Sequence, residues 1–504
     1  MDKKTNISFT VLVILCIIIL CISLAPKTLQ NDTFYTIKMG EHIVKEGLTE
    51  IDQFTWHEDV PYTYPHWLYD VMIYKIYDIG GHAGIYISTI VLSCILGIIV
   101  YITNAKITKN KLVAFILTLG VMYLLQDFIA ARAQLVTFIL FTLEILFIEM
   151  FLEKKKIGYG IGLIAIAIFI TDLHAAVWPF FFVLALPYIG EYIIAIIIDF
   201  IKKLTNKEKI EFNKLDIKRS PMVKWLIIIL IICAATGLIT KWGDNPYTHL
   251  SKIMSGDSTK YISEHQPLAL INQKEFLVAV TILLAFLIFT NLKIKLRDFL
   301  MITGLLILAL MTRRQMSMFI LIASPVLGQF IAMLFDKYEP NGTKEFIRLM
   351  TTIYGKIITV SIVLIMSILL IRPTIKAQYV STHNYPVEAA KYILENLDVE
   401  NMRLYNEYNY GSYLLMNDIK VFIDSRADLY TKEFNGRDND IFVDAMNTSQ
   451  IGIYYEDMFT KYNVTHVILF RTSKLNMFLS RNNKYNELYK DDRFVIYERL
   501  KDGE

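Results

Sequence analysis

The feature that most constrains this chain is a recurrence. Apolar blocks of about 17–25 residues, the length a helix needs to cross a hydrocarbon core, return along most of the sequence. Hydrophobic residues make up 54% of the 504 positions, and the excess is gathered in these blocks. We count roughly eleven of them, near 8–25, 83–104, 112–127, 133–152, 157–171, 175–201, 224–241, 275–291, 298–312, 315–334 and 353–371. The first follows Lys3 and Lys4, as in a signal peptide, but it is long and no small-x-small site follows it, so it reads as an uncleaved span. The expected fold is an all-α polytopic membrane domain over 1–372, then a small α/β domain over 373–504.

Basic residues orient the spans, because Lys and Arg favour cytoplasmic loops. They cluster at Lys3 and Lys4, at Lys106, Lys109 and Lys111, and at Lys154, Lys155 and Lys156. Further clusters are Lys202, Lys203, Lys207, Lys209, Lys214, Lys218 and Arg219, then Lys293, Lys295 and Arg297, then Lys337, Lys344 and Arg348. These fall at every second connection. The alternation places the N-terminus in the cytoplasm and, with an odd number of spans, the tail outside; a bacterial plasma membrane is the expected location. A net charge of +3 is too small to suggest a nucleic-acid partner. Cys16, Cys21, Cys94 and Cys233 all lie inside apolar blocks, so no disulfide framework is expected.

The opposite set of loops carries the residues capable of chemistry. All nine histidines lie there, with Asp32, Asp52, Asp172, Arg132, Arg313 and Arg314. The first such loop, 26–82, is long. Phe34, Ile37, Val44 and Leu48 share one helical face, which predicts an amphipathic helix from Asp32 to Leu48. The piece from His66 to Tyr77 holds Trp67, Tyr69, Tyr74 and Tyr77, aromatic residues suited to the headgroup zone. In the tail, Asn384 and Pro386 start a helix through Ala389, Ala390, Ile393 and Leu397. Strand-like runs follow at Met402–Tyr405, Val421–Asp424, Thr465–Phe470 and Phe494–Tyr497, with helical stretches near 409–416, 449–462 and 475–489.

Asp32, just after the first span, has two readings. One is an N-cap for the amphipathic helix. The other is a general base whose basicity is raised by apolar walls and a nearby lipid phosphate, and which takes a proton from an acceptor hydroxyl.

A series of motifs, in order, then resembles a family. It begins with Asp32, Lys38-Met39-Gly40-Glu41-His42-Ile43, Gly47, Asp52-Gln53-Phe54-Thr55-Trp56 and Tyr64-Pro65-His66-Trp67-Leu68. It continues with Ala131-Arg132-Ala133-Gln134, Asp172-Leu173-His174-Ala175-Ala176, Asn245-Pro246-Tyr247, Glu264-His265-Gln266-Pro267, and Arg313 with Arg314. In the tail it includes Asn406, Tyr408, Gly411, Tyr413 and Phe422-Ile423-Asp424-Ser425-Arg426. The chain resembles GT-C superfamily membrane glycosyltransferases, most nearly the bacterial proteins grouped with lipopolysaccharide-core transferases of rhizobia. It is distantly similar to oligosaccharyltransferases and protein O-mannosyltransferases.

The resemblance implies an inverting transfer of a sugar from a polyprenyl-phosphate-linked donor, at the outer leaflet of the membrane lipid, to an envelope glycan, lipid or protein acceptor. Asp32 matches the loop carboxylate that acts on the acceptor. Arg132, Arg313 and Arg314 are candidates to hold the donor phosphate, since the guanidinium fork takes two oxygens at once; the alternative is snorkelling to the interface. His66, Trp67, Asp172, His174, Glu264 and His265 are candidate substrate contacts. No Asp-x-Asp pair is present, so a divalent cation, Mg or Mn, has only Asp32, Asp127 and Asp172 as candidate ligands. Two other functions stay open. Glu144 and Glu191, deep inside apolar blocks, suit a buried relay in a transporter or flippase of a lipid-linked precursor. The tail suits a non-catalytic scaffold.

Overall fold

The computed structural model describes residues 2–205, 214–241, 243–270 and 273–500. Lys207 and Lys209, counted above among the basic clusters, lie outside the described residues. The chain divides into two compact units. The first, here the membrane unit, comprises 1–26, 86–247 and 263–375; the second, the loop-and-tail unit, comprises 27–85, 248–262 and 376–504.

A helix stands at each of the eleven apolar stretches. The first seven belong to α1 (Lys3–Leu24), α3 (Trp67–Thr108), α4 (Lys111–Leu124), α5 (Ala133–Lys154), α6 (Ile157–Leu173), α7 (Trp178–Thr205) and α8 (Val223–Thr236), with α2 (Asn31–Glu46) before the second of them. The others are Lys274–Phe289, Leu296–Met311, Met316–Tyr338 and Ile353–Lys376. Six helical stretches among the described residues are long and apolar enough to cross a membrane, and 111–124, 157–173 and 223–236 are shorter apolar helices. The chain is a multi-pass membrane protein. Its helices meet through small residues: a Cβ on Gly97 would lie 2.7 Å from Ile17, and one on Gly328 would lie 2.5 Å from Thr108. Close backbone approach of this kind supplies dispersion contacts where lipid removes the hydrophobic drive.

The loop-and-tail unit has its own core. Four strands form a sheet in the order Leu404–Tyr405, His466–Phe470, Phe494–Arg499, Tyr485–Lys490. The first pair is parallel and the other two pairs are antiparallel. The helix expected over 475–489 ends early: Lys474–Leu479 is helical, and Tyr485–Lys490 is a strand. Antiparallel pairing with Phe494–Arg499 outweighs the local helical pattern there. Val421–Asp424, read as a strand, makes only one isolated bridge, from Val421 to Thr55.

That bridge shows where the first loop goes. Thr55 Oγ1 donates to the Val421 carbonyl at 2.9 Å, Trp56 Nε1 donates to the Leu404 carbonyl at 2.9 Å, and His57 Nε2 lies 2.9 Å from the Phe422 carbonyl. Residues 27–85 therefore fold with the tail as one body. α2 is clamped along its length: Asn31 Nδ2 donates to the Tyr408 carbonyl at 3.0 Å, and Phe34 packs edge-on between Tyr385 and Tyr413, at 4.8 and 5.2 Å. α3 is broken at Gly81, whose φ of 55° is cheap only for glycine. The break separates a loop helix, 67–80, from the apolar helix that follows.

Candidate functional site

The residues singled out in the sequence divide between the two units. Asp32, His66 and Trp67 belong to the loop-and-tail unit; Asp127, Arg132, Asp172, His174, Glu264, His265, Arg313 and Arg314 belong to the membrane unit.

In the loop-and-tail unit, Asp32 is half-buried in the first turn of α2. It is not the N-cap. Gln30 holds that position, and no side-chain cap bond is made there. A carboxylate in the first turn still faces the positive end of the helix dipole. One turn further along the same helix face comes Tyr35, whose hydroxyl lies 2.9 Å from His66 Nε2. His66 Nδ1 in turn lies 2.8 Å from Asp70 Oδ1. All three side chains are buried, Asp70 completely. Burial alone pushes the His66 pKa down, but the Asp70 carboxylate, with Asp32 adding to it, raises it above the ordinary histidine value. Trp67 is half-buried at the start of the loop helix. His66, a candidate substrate contact by sequence, is a buried, hydrogen-bonded link between Tyr35 and Asp70.

Nearby, Arg426 is enclosed. Its backbone N–H and Nε donate to Asp424 Oδ1 at 2.8 and 3.0 Å, its Nη2 donates to Asp424 Oδ2 at 2.7 Å, and its Nη1 pairs with Asp52. Tyr430 donates to Asp424 Oδ2 at 2.6 Å, and Asp52 Oδ2 also accepts the backbone N–H of Phe54 and Thr55. The Asp424-Ser425-Arg426 turn is thus a satisfied structural centre. It ties residue 52 of the loop to residue 426 of the tail.

In the membrane unit, Arg132 sits at the N-cap of α5, and its Nη1 donates to Glu264 Oε1 at 3.1 Å. The Glu264 loop is held by backbone: the Arg313 N–H donates to the Gln266 carbonyl at 2.9 Å. Burial works to raise the Glu264 pKa, but Arg132, then Arg314, hold the carboxyl below its usual value. Arg132, Glu264, His265, Arg313 and Arg314, spread over residues 132–314, are thereby gathered by one short turn packed on another. His174 caps α6 and lies 2.8 Å, through Nδ1, from Thr137 Oγ1 on α5; Asp172 is half-buried in the last turn of α6. Asp127 is exposed in a short turn, Gln126–Phe128.

Among the described residues, no group of three or more His, Cys, Asp or Glu side chains is placed to hold a metal ion. Of the candidate ligands, Asp32 belongs to the loop-and-tail unit, and Asp127 and Asp172 belong to the membrane unit. Glu144, midway along α5, is fully buried, and neither carboxyl oxygen has a hydrogen-bond partner among the described residues. Glu149, by contrast, accepts from Tyr188 at 3.1 Å and from Arg297 at 2.9 Å.

Sequence reasoning missed Tyr35 and Asp70. Asp70 had a signal, because the His66-x-x-x-Asp70 spacing puts both side chains on one side of a helical turn. Tyr35 had only its position, three residues after Asp32.

No family model matches the chain, and no curated protein matches it. Its fold, however, is found among solved structures. A crystal structure of an Archaeoglobus fulgidus oligosaccharyltransferase, tethered to an acceptor peptide containing an NVT sequon, superimposes with a TM-score of 0.56 at 13% identity, over 98% of this chain and 74% of that one. The crystal structure of ArnT from Cupriavidus metallidurans, bound to undecaprenyl phosphate, superimposes with a TM-score of 0.55 at 11% identity, over 97% of each chain. Both neighbours are GT-C glycosyltransferases, so the fold of this chain is the GT-C fold.

Proposed function

We propose that this chain is an inverting glycosyltransferase that moves a sugar from a polyprenyl-phosphate carrier to an acceptor of the cell envelope. The fold likeness carries the reading: it spans nearly the whole chain, and one neighbour holds undecaprenyl phosphate. The sequence resemblance to lipopolysaccharide-core transferases of the rhizobial type supports an envelope glycan or lipid as the acceptor. In this reading the N-terminus is cytoplasmic, and the loop-and-tail unit works outside the membrane, where it recruits or encloses the acceptor.

Each side chain has a role suited to its chemistry. Asp32 takes the proton of the attacking hydroxyl as that oxygen bonds to the anomeric carbon. The bond from that carbon to the carrier phosphate breaks, and the phosphate leaves with the electron pair. Arg132 and Arg313, with Arg314, hold the phosphate oxygens and stabilise the charge that builds on them. Glu264 keeps the Arg132 fork oriented before the donor arrives. Asp172, His174, His265 and Trp67 contribute to the surfaces that meet sugar and acceptor.

The test uses the purified full chain with a panel of undecaprenyl-phosphate-linked hexoses and an envelope extract as acceptor. Asp32→Asn is expected to lower transfer by at least about 100-fold, the lower range for losing a general base, with thermal stability and undecaprenyl phosphate binding unchanged. Arg132→Gln is expected to weaken undecaprenyl phosphate binding. Full transfer by the Asp32→Asn protein would sink the assignment.

A second reading is favoured by one observation, the unpartnered Glu144 inside α5. A carboxyl at that position is costly and marks relay sites in transporters. If the chain translocates a lipid-linked molecule, Glu144→Gln stops translocation across reconstituted vesicles and Asp32→Asn does not.

A further inference from the structure

The chain Asp70–His66–Tyr35 ends one helical turn from Asp32, and nothing in the roles above uses it. Its geometry is directional. Asp70 is wholly buried at the start of the loop helix, and a carboxylate there only accepts hydrogen bonds. His66 therefore carries a proton on Nδ1, donated to Asp70 at 2.8 Å, and the opposite nitrogen is aimed at Tyr35 Oη at 2.9 Å. The ring has no freedom to flip without losing both bonds. The backbone fixes the spacing as well. A Cβ on Gly40 would lie 2.1 Å from the Asp70 carbonyl oxygen and 2.6 Å from Tyr74 Cβ, so α2 and the loop helix touch backbone to backbone. Tyr35, five residues before Gly40 on α2, is brought to His66, four residues before Asp70, by that contact. Asp32 lies on the same side of α2 as Tyr35, close enough for its charge to act on His66. The arrangement repeats a general device in which a buried carboxylate fixes the tautomer and plane of a histidine, and the histidine fixes a hydroxyl.

We propose that the Tyr35 hydroxyl holds the acceptor's attacking hydroxyl in line with the Asp32 carboxylate, and that His66 and Asp70 are positioning residues acting through Tyr35. With a proton on each ring nitrogen, His66 donates to Asp70 and to the phenol oxygen, so the Tyr35 proton is left for the acceptor's oxygen while the acceptor donates its own proton to Asp32. No bond to Tyr35, His66 or Asp70 forms or breaks, and the proton leaves the acceptor only to Asp32. The inference rests on the reading of Asp32 as the base.

Asp70→Asn tests it most sharply, because an amide of the same shape carries no charge to hold a second proton on the His66 ring. Nε2 then changes from donor to acceptor and takes the Tyr35 proton that the acceptor's oxygen needs. One readout needs no substrate. The side-chain ¹⁵N signals of His66 in the full-length protein are expected to change in Asp70→Asn, and an unchanged ring overturns the relay. The second readout uses the transfer assay with the same undecaprenyl-phosphate-linked hexoses. Tyr35→Phe and Asp70→Asn are each expected to lower kcat about 10- to 100-fold, the range for removing an outer partner of a functional histidine, with KM for the lipid donor unchanged. The double variant is expected to be no worse than Tyr35→Phe alone, because Asp70 acts only through that hydroxyl. Multiplied losses, or a raised donor KM at constant kcat, overturn the proposal and leave Asp70 a stabilising residue. The two failures are separable. An active Asp32→Asn protein removes the base itself, whereas an inactive Asp32→Asn protein with fully active Tyr35→Phe and Asp70→Asn proteins removes only the relay.

Discussion

Arg426 and Arg132 are the same residue set in opposite surroundings. Arg426 is buried in the loop-and-tail unit, held by both oxygens of Asp424 and by Asp52, with Tyr430 completing the set. Arg132, in the membrane unit, pairs with Glu264, and the two side chains are 26% and 44% exposed. A buried guanidinium surrounded by fixed acceptors is architecture: its cost of leaving water is offset only while every partner stays. A partly exposed pair exchanges partners at little cost, as the proposed phosphate role requires. Both arginines stand in sequence motifs of the same series. The surroundings separate them.

Breaking Arg426 is therefore expected to have the largest effect. Arg426→Met leaves two buried carboxylates without a cation, at a cost of about 3–5 kcal/mol. It is checked by thermal unfolding and by protease cleavage of the tail. The next effect is set by acid. His57 is buried among Phe422, Tyr430 and Tyr462, and burial pushes its pKa down to about 3. The unfolded chain takes up a proton below about pH 6.5 and the folded unit does not. Stability present above that pH is thus lost at about 1.4 kcal/mol per pH unit as pH falls towards 3. A His57→Gln protein is expected to show a flatter dependence of melting temperature on pH between 6.5 and 4. Gly40→Ala pushes a methyl into the Asp70 carbonyl and is expected to cost about 1–3 kcal/mol, with kcat falling alongside; melting and turnover on one preparation check both. Glu264→Gln is expected to move stability by less than about 1 kcal/mol. A loss there as large as that of Arg426→Met would erase the contrast between the two arginines.

What the sequence disclosed follows from how far apart the interacting residues are. The apolar blocks are local and long, so a helix was legible at every one, as was the amphipathic helix read from Asp32 to Leu48 and found as Asn31–Glu46. Asp32 was read either as a cap or as a base; the cap fails because the helix begins one residue earlier than the pattern suggested. The pairing of Arg132 with Glu264 crosses 132 positions and that of Asp52 with Arg426 crosses 374. Nothing local announces either. His66 was visible as chemistry, but its burial was not, since that depends on α2 lying against the loop helix. Residues 485–490 look helical until their antiparallel partner is known.

The contact at Gly40 has a mechanical consequence. Side chains that pack through flexible ends shift when detergent, heat or a thinner bilayer loosens them. Two peptide backbones in contact have no such slack, because their separation is set by the van der Waals radii of atoms that cannot rotate away. The span from Asp32 to His66 is thus a stiff gauge within a soft surrounding. Conditions that swell the rest of the protein should leave that distance nearly unchanged until α2 itself melts.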